Sequence, residues 1–414
     1  MKKPFPLWLF CLILFAVVTV IIGVNVVKML NSGVVPVVTN VPVEDYENTA
    51  VSDAENAQIT VEPADSDTET ALAEETAAMP PENEDVEPGQ PAETEPEPES
   101  EPEPEPETLT ADGLHVHTYR DGVCTGCGQK PVFCTGFLPE EYYTPAVNQG
   151  SLVRYAYTVT AYADHSNSMY NKEMLIYLPY GYDQSKQYNV LILLPDGDGT
   201  EDSWLNKDYV YGDIVMNGKN IVDRMIEKGD CEPCIIVCPQ VETPFCQGLV
   251  AAVYQMKDEL RDFIVPYIVD TYSTYASDSS IESLHEARGH FGLGGASNGA
   301  LVVYDSGMRF DFDLFSSYMA LSGNGQPWNT VDLIQLDVFR SLPIQCLFTG
   351  AGSSGDWQQN YTQIGYDYFI QNEPRLKEGI NAWHVDVEGE HVWKVWLTGL
   401  YNALPLMFQE STVA

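Results

Sequence analysis

The sequence predicts an α/β domain with a mainly parallel central sheet flanked by helices, preceded by a transmembrane segment and a disordered acidic linker. Three observations carry this reading. Six apolar runs after residue 170, several of them apolar on both faces, alternate with helical patterns, as buried parallel strands covered by helices do. The first 30 residues include an uncharged run long enough to span a bilayer. Between the two lies a stretch of Glu, Pro, Ala and Thr with too little apolar surface to fold.

The N-terminal run extends from about Phe5 to Val27, behind Lys2 and Lys3. It is longer than a secretory h-region, and no small-residue cleavage site follows it, so residues 1–30 read as a signal anchor. A cleaved signal peptide is the alternative. With Lys2 and Lys3 held in the cytoplasm, the rest of the chain lies outside the cell. Residues 31–110 form the linker. Residues 41–107 carry 23 acidic side chains and no Lys or Arg, which accounts for much of the formal net charge of −41. The Glu-Pro alternation in "ETEPEPESEPEPEPE" favours extended polyproline II, suited to a spacer. So acidic a chain excludes nucleic acid and anionic lipid headgroups as partners. Its oligomeric state is not legible.

Residues 111–131 hold a small His/Cys motif, "LHVHTYRDGVCTGCGQKP". His115, His117, Cys124 and Cys127 could complete a tetrahedral zinc site of structural type, since C-x2-C is a common knuckle spacing. A Cys124–Cys127 disulfide, or residues without a ligand, are the alternatives. "CEPC" (Cys231–Cys234) reads as a loop disulfide or a pair of thiols, and Cys238 and Cys346 as core residues.

Residues 132–414 form the main domain. Its expected strands are Glu173–Pro179, Tyr188–Pro195, Cys234–Pro239, His290–Ser297, Ile344–Gly350 and Ala382–Glu388. Helices are expected over Gly248–Tyr272 and from Ala300. "GASNG" (Gly295–Gly299) falls between a strand and a helix, where glycines permit the tight turn that exposes a nucleophilic serine, Ser297. The base must lie at the same end of the sheet. His391, just after the last expected strand, meets that condition. His290 would sit about 20 Å away at the other end of the nucleophile strand. Asp356, in a Gly/Ser-rich loop after a buried strand, is the leading orienting acid, with Asp386 and Glu388 as rivals. The oxyanion donors would be the amide of Asn298 and one from the "PDGDG" loop, Gly197 or Asp196.

Four blocks, "YNKEMLIYLPYGYDQSKQYNVLILLPDGDGTEDSW", "ARGHFGLGGASNGALVVY", "YMALSGNGQPW" and "EGEHVWKVWLTGLYNALPLMF", resemble carbohydrate esterase family 1, the feruloyl and acetylxylan esterases and their esterase-D-like relatives. The resemblance spans roughly residues 150–410. It implies an α/β-hydrolase fold, no metal cofactor for catalysis, and Ser297, Asp356 and His391 as nucleophile, acid and base. It also implies a serine esterase acting on feruloyl or acetyl groups of plant polysaccharides such as xylan, which the signal anchor would hold at the cell surface. Trp204, Trp328 and Trp393 are candidates for stacking on an aryl acid or a sugar. The sequence departs from the family where His-Gly is replaced by Pro195-Asp196, where Gly is replaced by Asp198, and where Asn298 stands for a common Met. Those departures and the long linker motivate the alternative of a catalytically weak or inactive surface carbohydrate-binding protein retaining the fold, and an acyltransferase is a further alternative on the same fold.

Overall fold

The computed structural model describes residues 116–163, 168–241, 248–409 and 413. The expected membrane segment, the linker and His115 lie outside the described residues. Among the described residues, no helix is long and apolar enough to cross a membrane.

A short hairpin comes first, β1 (Tyr119–Arg120) and β2 (Val123–Cys124), followed by the long antiparallel pair β3 (Ser151–Thr160) and β4 (Met169–Leu178). The sheet continues with β5 (Asn189–Leu194), β8 (Cys234–Pro239), β9 (Phe291–Ala296), β10 (Ser317–Leu321), β11 (Cys346–Gly350) and β12 (Ala382–His384). A second small hairpin, β6 (Tyr209–Tyr211) and β7 (Ile214–Met216), stands apart. The main sheet has eight strands in the order β12-β11-β10-β9-β5-β8-β4-β3. The pairs from β12 through β8 are parallel, and β4 and β3 close one edge antiparallel.

The helices are α1 (Gly218–Lys228), α2 (Leu249–Glu259), α3 (Val265–Thr271), α4 (Ile281–Glu286), α5 (Asn298–Val302), α6 (Pro327–Ile334), α7 (Gln359–Asn372) and α8 (Trp393–Ala403). A π turn at Leu260–Ile264 joins α2 to α3, so the expected helix over 248–272 is one rod with a bulge. Each face of the sheet has its own core. Along β5, Val190, Ile192 and Leu194 pack with Val253, Met256 and Ile264 on one side, while Leu191 and Leu193 pack with Ile221, Leu397 and Leu400 on the other. All six β5 residues are buried, as period-2 alternation between two covered faces requires.

The sequence reading differs from the structure in three places. β3 was expected as no element, because its side chains are largely exposed on an edge strand and its alternation is broken by Arg154 and Tyr155. "SYMAL" is a fully buried interior strand, β10, which the sequence reading does not place among the strands. The strand expected over Ala382–Glu388 ends at His384, and the chain beyond it makes single bridges such as Gly352 with Val387.

Candidate active site

Because β9, β10, β11 and β12 are parallel neighbours, the loops leaving them share one edge of the sheet. Ser297 follows β9, Asp356 lies in the loop after β11, and His391 lies between β12 and α8. That edge is where an open parallel sheet places its ligands.

Ser297 has φ 54° and ψ −119°, a conformation that non-glycine residues rarely adopt. Its amide donates to Leu321 O at the end of β10 (2.9 Å), and its carbonyl accepts from Ala300 N at the start of α5 (3.0 Å). The flanking glycines make this turn possible for steric reasons. A Cβ on Gly295 would strike the backbone of Gly299, and one on Gly299 would strike the carbonyl oxygens of Leu194 and Pro195. The pentapeptide therefore follows from packing between the nucleophile turn and the end of β5.

The Ser297 hydroxyl is 2.9 Å from His391 Nε2, and His391 Nδ1 is 2.9 Å from Asp356 Oδ1. With the Nδ1 proton donated to Asp356, Nε2 is left as the acceptor for the serine proton. Asp356 is itself held on every side. Its Oδ2 accepts from Ser322 Oγ (2.6 Å) and from Gly352 N (2.9 Å), and its Oδ1 also accepts from Gln358 N (2.9 Å). Burial raises the pKa of this carboxyl, but the hydrogen bonds from His391, Ser322 and the two amides outweigh burial and bring it down to about 2. It is a fixed carboxylate at neutral pH.

Asp386, the rival acid, takes other partners: Ala351 N at 3.0 Å and Gln359 Nε2 at 2.7 Å, with His384 beside it. His290 stacks on Tyr275 and meets Asn189 Oδ1 at the start of β5, away from Ser297.

Asn298 opens α5 directly after the nucleophile, and Gly197 lies in the loop that leaves β5 beside β9. That loop is braced by Gly199 N donating to Asp196 O (3.0 Å) and by Trp204 Nε1 donating to Leu194 O (2.9 Å). Asp196 Oδ1 is sealed from solvent and meets no hydrogen-bond donor among the described residues. Burial, then the neighbouring Asp198, push its carboxyl above the usual range, against weaker opposite pulls from its own amide, Lys207 and His391.

The three candidate tryptophans part company. Trp204 is wholly buried, and Trp393 is nearly so, packed edge-on against Trp204 and stacked on Tyr209. Both are core residues, and Trp204 braces the loop after β5 through its bond to Leu194 O; a stacking role for either is corrected on that ground. Trp328 is 45% exposed at the start of α6. Two aromatic neighbours of the base were not expected. Trp396 meets the His391 ring edge-on at 5.0 Å and donates through Nε1 to Ser322 Oγ. Trp357, 64% exposed, leans over the His391 ring at 5.1 Å. Its position directly after Asp356 was the one available signal.

At the opposite edge of the sheet, His117, Cys124 and Cys127 bring one ligand atom each to within 4.8 Å of one another. Cys124 and Cys127 are thiols, as are Cys231, Cys234, Cys238 and Cys346, the last four of them buried.

A serine hydroxyl on a strained strand-to-helix turn, backed by an imidazole and a fixed carboxylate in the chain order Ser, Asp, His, defines a serine hydrolase of the α/β-hydrolase class. No family model matches the chain. Endo-1,4-beta-xylanase Y of Acetivibrio thermocellus is 30% identical over 186 residues, 45% of this chain and 15% of that relative, so the chain spans only a small part of its length. The feruloyl esterase module from Clostridium thermocellum, solved with sinapinate, superposes with a TM-score of 0.58 at 25% identity, covering 68% of this chain and 97% of the module. A ferulic acid esterase from the anaerobic fungus Anaeromyces mucronatus shares the fold, with a TM-score of 0.51 at 19% identity over 67% of this chain and 98% of that one. In fold and site geometry the chain is similar to these feruloyl esterases, which is consistent with an esterase-D-like α/β-hydrolase of carbohydrate esterase family 1.

Proposed function

We propose that this protein is a serine carboxylic-ester hydrolase that removes feruloyl or acetyl groups from plant polysaccharides such as xylan. The observation that carries the reading is the relay Ser297–His391–Asp356, two contacts of 2.9 Å on a strained turn. Ser297 Oγ attacks the ester carbonyl carbon as its proton passes to His391 Nε2. The charge on the carbonyl oxygen is met by the amides of Asn298 and Gly197. Collapse of the tetrahedral intermediate breaks the bond to the sugar oxygen, which leaves with the proton from Nε2. Water, deprotonated by the same nitrogen, then releases the acid and restores the serine. Asp356 keeps the imidazole tautomer and stabilises its cation throughout without taking the proton.

The feruloyl or acetyl assignment draws on the likeness to the feruloyl esterase module and to the xylanase, and on the exposed Trp357 beside His391. The N-terminal apolar run and acidic linker support tethering at the cell membrane with this domain outside; if the run is cleaved, the protein is secreted. The half-buried Asp196 carboxyl favours a second reading, a slow or narrowly selective enzyme, because a carboxylate there would oppose the developing oxyanion. Purified protein should hydrolyse methyl ferulate or p-nitrophenyl acetate. Ser297→Ala should lower kcat by more than about a thousandfold with folding intact. Equal rates in the two proteins would overturn the ester-hydrolase reading.

A further inference from the structure

The His/Cys motif is a strap across the hydrolase domain rather than a bead on the linker. Asp121 (φ 51°) and Gly122 (φ 73°) give β1 and β2 the two-residue Asp-Gly turn that a tight hairpin prefers. After β2 the chain makes a knuckle. Gly128 N donates to Cys124 O (2.8 Å), Cys124 N to Gln129 O (2.8 Å), and Thr125 N to Thr118 O (2.9 Å). This folds Cys127 back toward His117, leaving Cys127 Sγ 3.7 Å from His117 Nδ1.

That spacing has a meaning for a metal. Zinc bonds of about 2.3 Å to sulfur and about 2.0–2.1 Å to nitrogen give tetrahedral edges of roughly 3.6–3.8 Å. The N···S contact already has that length, and all three donor atoms lie within 4.8 Å. Two thiolates would also cancel the charge of the dication, which suits a site in which Cys124 is buried.

The hairpin is docked at both ends. His117 N donates to Gly229 O (3.1 Å), just before β8, and Tyr119 N donates to Gln409 Oε1 (2.6 Å). At the other end, a Cβ on Gly122 would strike Gly379 O, just before β12. Tyr119 and Cys124 join the core beneath the sheet with Cys231, Cys234 and Met407. Every one of these contacts lies at the N-terminal edge of the parallel strands, opposite Ser297.

We propose that His117, Cys124 and Cys127 bind one zinc ion that staples this hairpin across the base of the hydrolase domain. The staple holds the hairpin at the edge of the sheet opposite Ser297. The ion is structural, because the triad lies at the far edge of the sheet. This proposal stands on the hairpin and is independent of the ester chemistry.

The test is metal content, spectroscopy and stability of the full chain purified under reducing conditions. About one zinc per chain is expected by elemental analysis, and cobalt substitution should give the intense visible bands of a tetrahedral thiolate site. Chelation should lower the thermal unfolding midpoint, while hydrolysis of a small soluble ester below that midpoint stays unchanged. Cys127→Ser, at an exposed position, should bind zinc at least tenfold more weakly and lose the chelator effect. Failure of the reduced protein to take up zinc or cobalt overturns the proposal. So does a protein isolated two hydrogens lighter, with Cys124 and Cys127 resistant to thiol labelling and no metal taken up after reduction.

Discussion

Ser322 donates its hydroxyl to Asp356 Oδ2 at 2.6 Å while accepting the indole proton of Trp396 at 2.8 Å. The acid of the relay is thus oriented from behind by a chain that begins in α8 and ends at the nucleophile. Ser322 itself sits at φ 51° directly after β10, so the backbone there is committed to this contact.

Removing that hydroxyl should be felt at Ser297, three contacts away through Asp356 and His391. Ser322→Ala takes one charge-assisted hydrogen bond from Asp356 and leaves the Trp396 N–H buried without an acceptor. A hydrogen bond to a charged group is worth about 1.5–3 kcal/mol, so kcat should fall roughly tenfold or more. Steady-state kinetics would show it, and an unchanged kcat would mean that the other three donors suffice.

Asp356 also links stability to acid. Its pKa in the folded protein is about 2 against an ordinary 3.8. A carboxyl depressed by folding contributes stability that is complete above the unfolded value and disappears as pH falls through the folded one. Thermal unfolding midpoints of the protein and of Asp356→Asn should therefore differ more at pH 7 than at pH 2. A constant difference would show that the carboxylate's charge is not what the network stabilises.

For Asp196 the sign is opposite. Burial and Asp198 raise its pKa, so the carboxyl stays neutral to a higher pH than usual and ionises beside the proposed oxyanion site as pH rises further. The ratio of kcat in Asp196→Asn to kcat in the unaltered protein should climb with pH. A ratio flat from acid to alkaline pH would place the carboxylate out of reach of the reacting oxygen.

Trp357 offers an exposed ring beside the base. Trp357→Ala should raise KM for methyl ferulate by about 2- to 10-fold, the range that a ring–ring contact supports, and leave KM for p-nitrophenyl acetate less affected if the ring holds the acyl side. Parallel losses on feruloyl and acetyl esters of one alcohol would point instead to a role in positioning His391.

Local chemistry determined much of this protein in the sequence itself. Runs such as "NVLILL" are apolar at every position because both faces of a parallel strand are covered. Ser297 stands out because the turn around it has no room for a Cβ at Gly295 or Gly299. A choice between similar residues was a different matter, since it depends on which neighbours arrive from distant parts of the chain. Asp386 is the nearer of the two to His391 in sequence, yet Ala351 N and Gln359 take Asp386 while the Ser322 hydroxyl and two amides aim the more distant Asp356 at the imidazole. Trp204 and Trp393 read like Trp357 and Trp328 in one dimension. Packing against α1, α8 and the β6–β7 hairpin buried the first pair, and the second pair stayed at the surface. The His/Cys hairpin reads in the sequence as a separate small motif for the same reason. Its partners, Gly229, Gly379 and Gln409, lie between about one hundred and three hundred residues further on, and only the closed sheet brings them to it.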